Sequence, residues 1–217
     1  MDTAPFFTFL SEHGIAYQRC DHPAVYTVEE SARLVPPLPG AKTKNLFLRD
    51  KSGRRHFLVC VPAAKQVDIK VLSEAIGANR LSFGSAERLK QYLGVEPGAV
   101  TLLAVFNDPL HAVELFVDEA LWQYDAFQFH PLVNTSTLVL SREAVARLVE
   151  LTGHRLHLVK VPEKRTDEGP TESKGHRAKG IQQKDIGLFN RFRFLPLFFL
   201  LSALSSTLYA ELERARS

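Results

Sequence analysis

Cysteine is scarce in this chain of 217 residues: only Cys20 and Cys60 occur, far apart and outside any CxxC pattern. That excludes a disulfide framework and a cysteine-rich zinc site, and it fits a reducing cytoplasm. GxSxG, P-loop and GxGxxG patterns are absent as well, so serine-hydrolase, nucleoside-triphosphatase and dinucleotide readings lose their usual anchors. Charge of one sign is in short supply, since 27 Lys+Arg against 24 Asp+Glu leave a formal net charge of +3. So small an excess permits contact with a polyanion without demanding it. The opening "MDTAPFFTFLSEHG" has no basic n-region and carries Asp2 and Glu12, so it reads as a first helix and not as a secretory leader.

What is present is a 45% hydrophobic chain, enough for one full core and an appendage. Thr3 is placed to cap the first helix, with Phe6, Phe9 and Leu10 on one face and Gly14 as its stop. "AYQRC" reads as a strand. "YTVEESARLV" reads as a helix whose Thr27 and Glu30 have capping-box spacing. "NLFLRD" and "RHFLVCV", separated by "KSGR", predict an antiparallel hairpin of core strands. "DIKVLSEAIGA" and "SAERLKQYLG" carry helical periodicity, the second between a Ser85 cap and Gly94. "AVTLLAVFND", "AVELFVD" and "STLVLS" pattern as strands, "SREAVARLVELTG" as a capped helix and "RLHLVKV" as a last strand. Without regular βαβ alternation, this order predicts an α+β (mixed α/β) fold: one domain over 1–163, with a mixed, mostly antiparallel sheet surrounded by helices.

After Pro162 the composition turns polar and charged, which predicts a flexible linker over 164–187. An apolar segment follows within 188–217. Its stretch 194–210 has no charged residue but holds Pro196 and several serines, at the lower edge of bilayer-spanning length. It is read as a docked helix or C-terminal extension in preference to a membrane anchor.

Several constellations fail as chemistry. His154 and His157 are three apart, and on a strand an odd separation points them to opposite faces; no metal and no cofactor is assigned. Cys60 lies in an apolar run, where a thiol acts as a small hydrophobe and not as a nucleophile. Three stretches remain: "AKTKNLFL", "EPGAVTLL" and "FHPLVNTST". Lys44 at a strand entrance can meet a phosphate or a carbonyl, and Asn45 offers both donor and acceptor. Gly98 after Pro97 suits a turn with exposed backbone N–H groups. His130 precedes a small polar set, Asn134 to Thr137. Singly, each has an ordinary reading: a solvated strand start, a plain turn, a satisfied core histidine.

Taken in order, "HPAVYTVEES", "LPGAKTKNLFLRD", "EPGAVTLLAVFND" and "FHPLVNTSTLVLS" resemble the YbaK and prolyl-tRNA-synthetase editing-domain superfamily, specifically its freestanding ProX or PrdX type. The resemblance covers about residues 5 to 162. Lys42, where relatives often carry histidine, and Leu102 and Leu103, where they carry proline-phenylalanine, depart from the pattern. The resemblance implies a trans-editing hydrolase that deacylates mischarged aminoacyl-tRNA, foremost Ala-tRNA(Pro), by water attack on the ester, with neither a metal nor a covalent intermediate. It implies catalytic roles for Lys44, Gly98 and His130. Substrate binding falls to Asn45, Val25, Thr27, Val100, Thr101 and Asn134, and tRNA contact to Lys42 and Lys44. Selectivity for alanine over proline is expected from steric exclusion, with Val25 and Val100 setting the size. Prolyl-tRNA synthetase or an elongation factor are the partners that would deliver the tRNA. A deacylase for Cys-tRNA(Pro) or Ser-tRNA, or a noncatalytic tRNA-binding homologue, stays open beside this reading.

Overall fold

Near-continuous apolar runs place the centre of the sheet. In the computed structural model, which describes residues 2–25, 30 and 33–164, β2 (Ala41–Arg49) and β3 (His56–Pro62) form the expected antiparallel hairpin, in unbroken register from Thr43↔Pro62 to Arg49↔His56. Its turn is closed by Asp50, whose carboxylate accepts from the Ser52 hydroxyl at 2.6 Å and from the Arg54 and Arg55 N–H groups at 3.0 and 3.3 Å. The other strands are β1 (Gln18–Asp21), β4 (Ser82–Phe83), β5 (Val113–Asp118), β6 (Ala126–Phe129), β7 (Ser136–Ser141) and β8 (Leu156–Val159). The eight-stranded sheet runs β1-β7-β6-β2-β3-β5-β8, with β4 added to β2. Four pairings are antiparallel and three parallel, which is the mixed sheet of the expected fold class.

Side chains alternate across the sheet, so each strand feeds two cores. Phe47, Leu58, Cys60, Leu115, Phe127, Phe129 and Leu138 face one cluster, closed by α1 (Ala4–Glu12), α3 (Ala86–Leu93), a 3₁₀ helix (Leu102–Asn107) and α4 (Arg142–Leu151). Leu48, Phe57, Val59, Val61 and Phe116 face the second, closed by α2 (Ile69–Ala75) through Leu72. Each fully buried Leu or Phe contributes about 1.5–3 kcal/mol, against about 1 kcal/mol for a helix cap. The cores therefore hold the elements together and the caps fix their ends. Asp68 caps α2, Ser85 caps α3 and Ser141 caps α4, and Gly94 ends α3 at φ 65°. Thr3 occupies the cap position of α1 without a side-chain bond; the Ala4 N–H instead donates to Asp2 Oδ1 at 2.9 Å.

Two expectations are corrected. "AVTLLAVFND" contains the 3₁₀ helix Leu102–Asn107, not a strand. Thr101 starts it, its hydroxyl accepting from the Leu103 N–H at 3.3 Å, and a run that is buried all round has no periodicity to distinguish the two structures. Second, β4 and β6 are strands that the pattern did not reveal. The predicted helix over 26–35 is described only at Glu30, Arg33 and Leu34, which are helical, and at Val35, which is a bend. Thr27, the linker after Lys164 and the apolar segment 194–210 lie outside the described residues. Among the described residues no helix is long and apolar enough to cross a membrane.

Candidate functional site

β2 and β6 are parallel neighbours for only two register positions, Ala41↔Phe127 and Lys42↔Gln128. The Thr43 hydroxyl donates to the Gln128 carbonyl at 2.7 Å, and beyond that point β6 stays with β7 while β2 stays with β3. Since β3 runs along one edge of β2, β6 and β4 share the other, at Ala41–Lys42 and Leu48–Arg49. Between them that edge has no strand partner among the described residues. The Gly84 N–H reaches the Phe47 carbonyl at 3.0 Å on this edge. In an antiparallel strand a residue's N–H and C=O point the same way and residues two apart share that direction, so the backbone of Asn45 also faces the gap. The divergence falls at the carboxyl end of β6 and leaves the backbone of β2 at Asn45 without a strand partner among the described residues.

The turn-rich "VPPLPG" before β2 borders this opening. Gln128, 8% exposed, donates from Nε2 to the carbonyls of Leu38, Pro39 and Gly40 at 2.9, 3.2 and 3.1 Å. Gly40 has φ 83°, and a Cβ there would lie 2.7 Å from the Ala126 carbonyl carbon and oxygen. Only glycine lets the chain pass this close to β6.

Lys44 and Asn45 point to opposite faces of β2. Lys42 and Lys44 share the face of Leu48 and the second core, whereas Asn45 pairs with Cys60 on the face of the first. Lys44 Nζ donates to the Lys65 carbonyl at 2.5 Å. Partial burial pulls its ammonium below the ordinary lysine range, and the nearby Glu163 carboxylate offsets part of that. Lys65 in turn donates from Nζ to Asp118 Oδ2 at 2.6 Å. Lys42 has no acidic partner among the described residues. Asn45 Oδ1 is buried with no hydrogen-bond partner, an unmet acceptor beside the free strand edge.

His130 follows β6 directly. Its Nδ1 donates to the Ser136 carbonyl at 3.0 Å, which leaves Nε2 as the lone-pair nitrogen of a neutral imidazole. Burial, with the nearby His22 as a lesser cause, pulls its pKa below 6.5 against the Ser136 carbonyl. The His22 ring lies 6.1 Å from that of His130; His22 Nδ1 donates to the Pro23 carbonyl at 2.8 Å and Nε2 accepts from the Thr137 hydroxyl at 2.9 Å. Residues 22–25 are laced onto 134–137. The His22 N–H donates to the Thr135 carbonyl, the Val25 N–H to the Asn134 carbonyl, and Asn134 Nδ2 to the Val25 carbonyl at 3.1 Å. Val25 is thereby 2% exposed. Between His130 and Asn134, buried Leu132 holds φ 67°, a strain of about 1–3 kcal/mol that persists only where the surroundings impose it.

Gly98 has φ 90° in a turn closed by the Ala99 N–H on the Glu96 carbonyl at 3.0 Å. Val100 is half-buried against the first core. Thr101 is fully buried, its hydroxyl oxygen engaged in the cap described above. No hydrogen bond among the described residues joins Gly98, Lys44 and His130. Cys60 is fully buried and burial pushes its thiol far up, the opposite of an activated nucleophile. His154 lies before β8 and contacts Asp108 at 3.2 Å, while His157 stacks on Phe116. No group of three or more His, Cys, Asp or Glu able to hold a metal occurs among the described residues.

His22, Gln128, Lys65 and Asp118 are the neighbours that reading the sequence did not single out. One signal was present: His22 and His130 each precede a proline in matching "HPAV" and "HPLV" stretches.

Three comparisons bear on this arrangement. The family model for the aminoacyl-tRNA editing domain matches residues 22–148. The prolyl-tRNA editing protein ProX of Acetoanaerobium sticklandii is 36% identical over 152 residues, 70% of this chain and 93% of that protein. The prolyl-tRNA synthetase associated domain-containing protein 1 of Danio rerio is 36% identical over 148 residues, 67% of this chain and 80% of that protein. A crystal structure described as a candidate trans-editing enzyme for prolyl tRNA synthetase superposes with a TM-score of 0.55 at 20% identity, covering 75% of this chain and 99% of that one. That last likeness is one of fold.

Proposed function

Because this chain belongs to the aminoacyl-tRNA editing domain family, we infer that it is a freestanding trans-editing deacylase, a hydrolase of the ester that joins a wrong amino acid to tRNA. The substrate we propose is Ala-tRNA(Pro). The prolyl-tRNA editing name of the Acetoanaerobium sticklandii relative supports the tRNA, and we assign the size limit for a small acyl group to Val25 and Val100. Residues 1–163 carry the activity. Prolyl-tRNA synthetase or an elongation factor delivers the substrate in the cytoplasm.

An aminoacyl ester is intrinsically labile, so the protein needs only to place a water and stabilise the developing oxyanion. Lys44 meets the terminal phosphate or the ester carbonyl with the protons that its bond to Lys65 leaves over. The Gly98 backbone N–H polarises the carbonyl. The neutral His130 accepts through Nε2 from a ribose hydroxyl or the attacking water, and the unmet Asn45 oxygen receives the α-ammonium group. Thr27, Thr101 and Asn134 shape the acyl end, Asn134 by holding the Val25 segment in place. Lys42 attracts the RNA backbone. Proline is rejected by clash, because a pocket sized for a methyl group excludes a ring far better than a roomy one discriminates by a methylene.

The observation that carries this reading is the opening between β2 and β6, flanked by a partly buried ammonium on one strand and a neutral imidazole just past the other. Its test is a panel of mischarged tRNAs, in which release of free alanine from Ala-tRNA(Pro) outpaces release from Cys-tRNA(Pro), Ser-tRNA and Pro-tRNA(Pro). Preference for another member reassigns the substrate. Tight tRNA binding with no release over the protein-free rate refutes the enzyme.

A further inference from the structure

The reading above gives Lys44 its role but leaves open what holds a flexible four-carbon side chain on target. The answer lies in the loop after β3. The only side-chain bond of Lys44 among the described residues goes to a backbone carbonyl, that of Lys65, at 2.5 Å. A carbonyl orients an ammonium only as well as its own loop is fixed; backbone bonds from the Ala63 N–H to the Lys42 carbonyl and from the Lys65 N–H to the Pro62 carbonyl hold this one, and the same residue's side chain adds a further tie. Lys65 Nζ reaches Asp118 Oδ2 at 2.6 Å, with side chains 14% and 1% exposed. The second oxygen of Asp118 accepts from the Ala120 N–H at 3.1 Å. Asp118 ends β5, two strands away from β2 in the sheet. A buried carboxylate is costly unless paired, and its placement here gives the 63–66 loop one position.

We propose that Asp118 and Lys65 are positioning residues for Lys44: their ion pair locks the loop whose Lys65 carbonyl aims the Lys44 ammonium at the substrate. The proposal rests on the assignment of Lys44 to the site. It involves no contact between Asp118 and substrate, and no covalent step.

The experiment is single-turnover deacylation of Ala-tRNA(Pro) by the full chain, with the protein-free rate subtracted and the fold of each variant checked by circular dichroism. Asp118→Asn slows the wild-type chain about tenfold and slows Lys44→Ala no further, because residues acting through one group are not additive. Lys65→Met, which keeps the carbonyl but loses the ion pair, slows turnover to the same degree. Lys65→Arg, which keeps the pair, restores at least half of the wild-type rate. The Asp118→Asn/Lys65→Met double variant is no slower than either single one. Equal slowing by Asp118→Asn with and without Lys44, or a Lys65→Met chain that turns over like wild type, overturns the positioning role. If Asp118→Asn fails to fold, the Lys65→Met and Lys65→Arg pair decides alone, equal rates for the two counting against the proposal. Wild-type turnover by Lys44→Ala is a separate failure that removes Lys44 from the site.

Discussion

Lys44 and His130 stand at matching positions, each two residues beyond the last pair, Lys42↔Gln128, that joins β2 to β6. One offers a cation held by a carbonyl, the other a neutral ring nitrogen, across a gap where the sheet has come apart. The roles proposed for the two residues differ, and their protonation separates them.

His130 must be neutral to accept a hydrogen bond through Nε2. Burial depresses its pKa below 6.5 in the folded chain. The unfolded chain then takes up a proton first as pH falls, so the stability tied to neutral His130 is complete above pH 6.5 and is lost as pH drops through the folded value. Deacylation is expected to hold level across neutral pH and to decline only on the acid side of 6.5. His130→Ala removes that acid limb and lowers the rate by about tenfold or more. A pH profile of single-turnover rates measures both, and an acid limb retained by His130→Ala counts against the assignment.

Cys60 tests the claim that no protein nucleophile is used. Cys60→Ala leaves a small core cavity and costs about 1–2 kcal/mol of stability, read from the denaturant midpoint, while the chemical step is unchanged. A folded variant that has lost turnover would revive a thiol mechanism.

A strap ties residues 162–164 to the loop after β3. The Asp68 N–H donates to the Pro162 carbonyl at 3.0 Å, the Lys164 N–H to the Gln66 carbonyl at 2.7 Å, and Glu163 bridges Val67. These bonds pin the loop that carries Lys65. A chain ending at Lys164 is expected to fold and deacylate like the full chain. One ending at Lys160 loses the strap and, through the loosened loop, about tenfold in rate before it loses its fold. Equal rates for the two truncations would show that the strap does not support the site.

Local chemistry was legible in the sequence. The β2–β3 hairpin follows from two apolar runs around "KSGR", and the helix ends at Ser85, Gly94 and Ser141 follow from cap residues acting within one turn. The misreadings have equally local causes. Residues 102–106 are apolar throughout and carry no period, and β6 is only four residues long, too short for its Phe127–Gln128–Phe129 alternation to stand out. Site residues could be named singly because their types suit the chemistry, but their relations could not. That Gln128 staples the "PPLPG" loop, that His22 sits by His130, and that Asp118 braces the Lys65 loop are all contacts between distant parts of the chain. Only the register of the sheet creates them.

The central claim is that Lys44 holds the charged end of an acylated tRNA at the scissile ester. Single-turnover deacylation of Ala-tRNA(Pro) by Lys44→Ala and Lys42→Ala, each at low and high salt, tests it most directly. Lys44→Ala is expected to lose on the order of a hundredfold, about 2.7 kcal/mol of transition-state stabilisation, at either salt concentration and with its fold intact. Lys42→Ala is expected to lose less, with the deficit shrinking as salt screens the RNA backbone. A folded Lys44→Ala chain that turns over at the wild-type rate would contradict the account and leave Lys44 a partly buried residue of β2 whose ammonium serves only its bond to the Lys65 carbonyl.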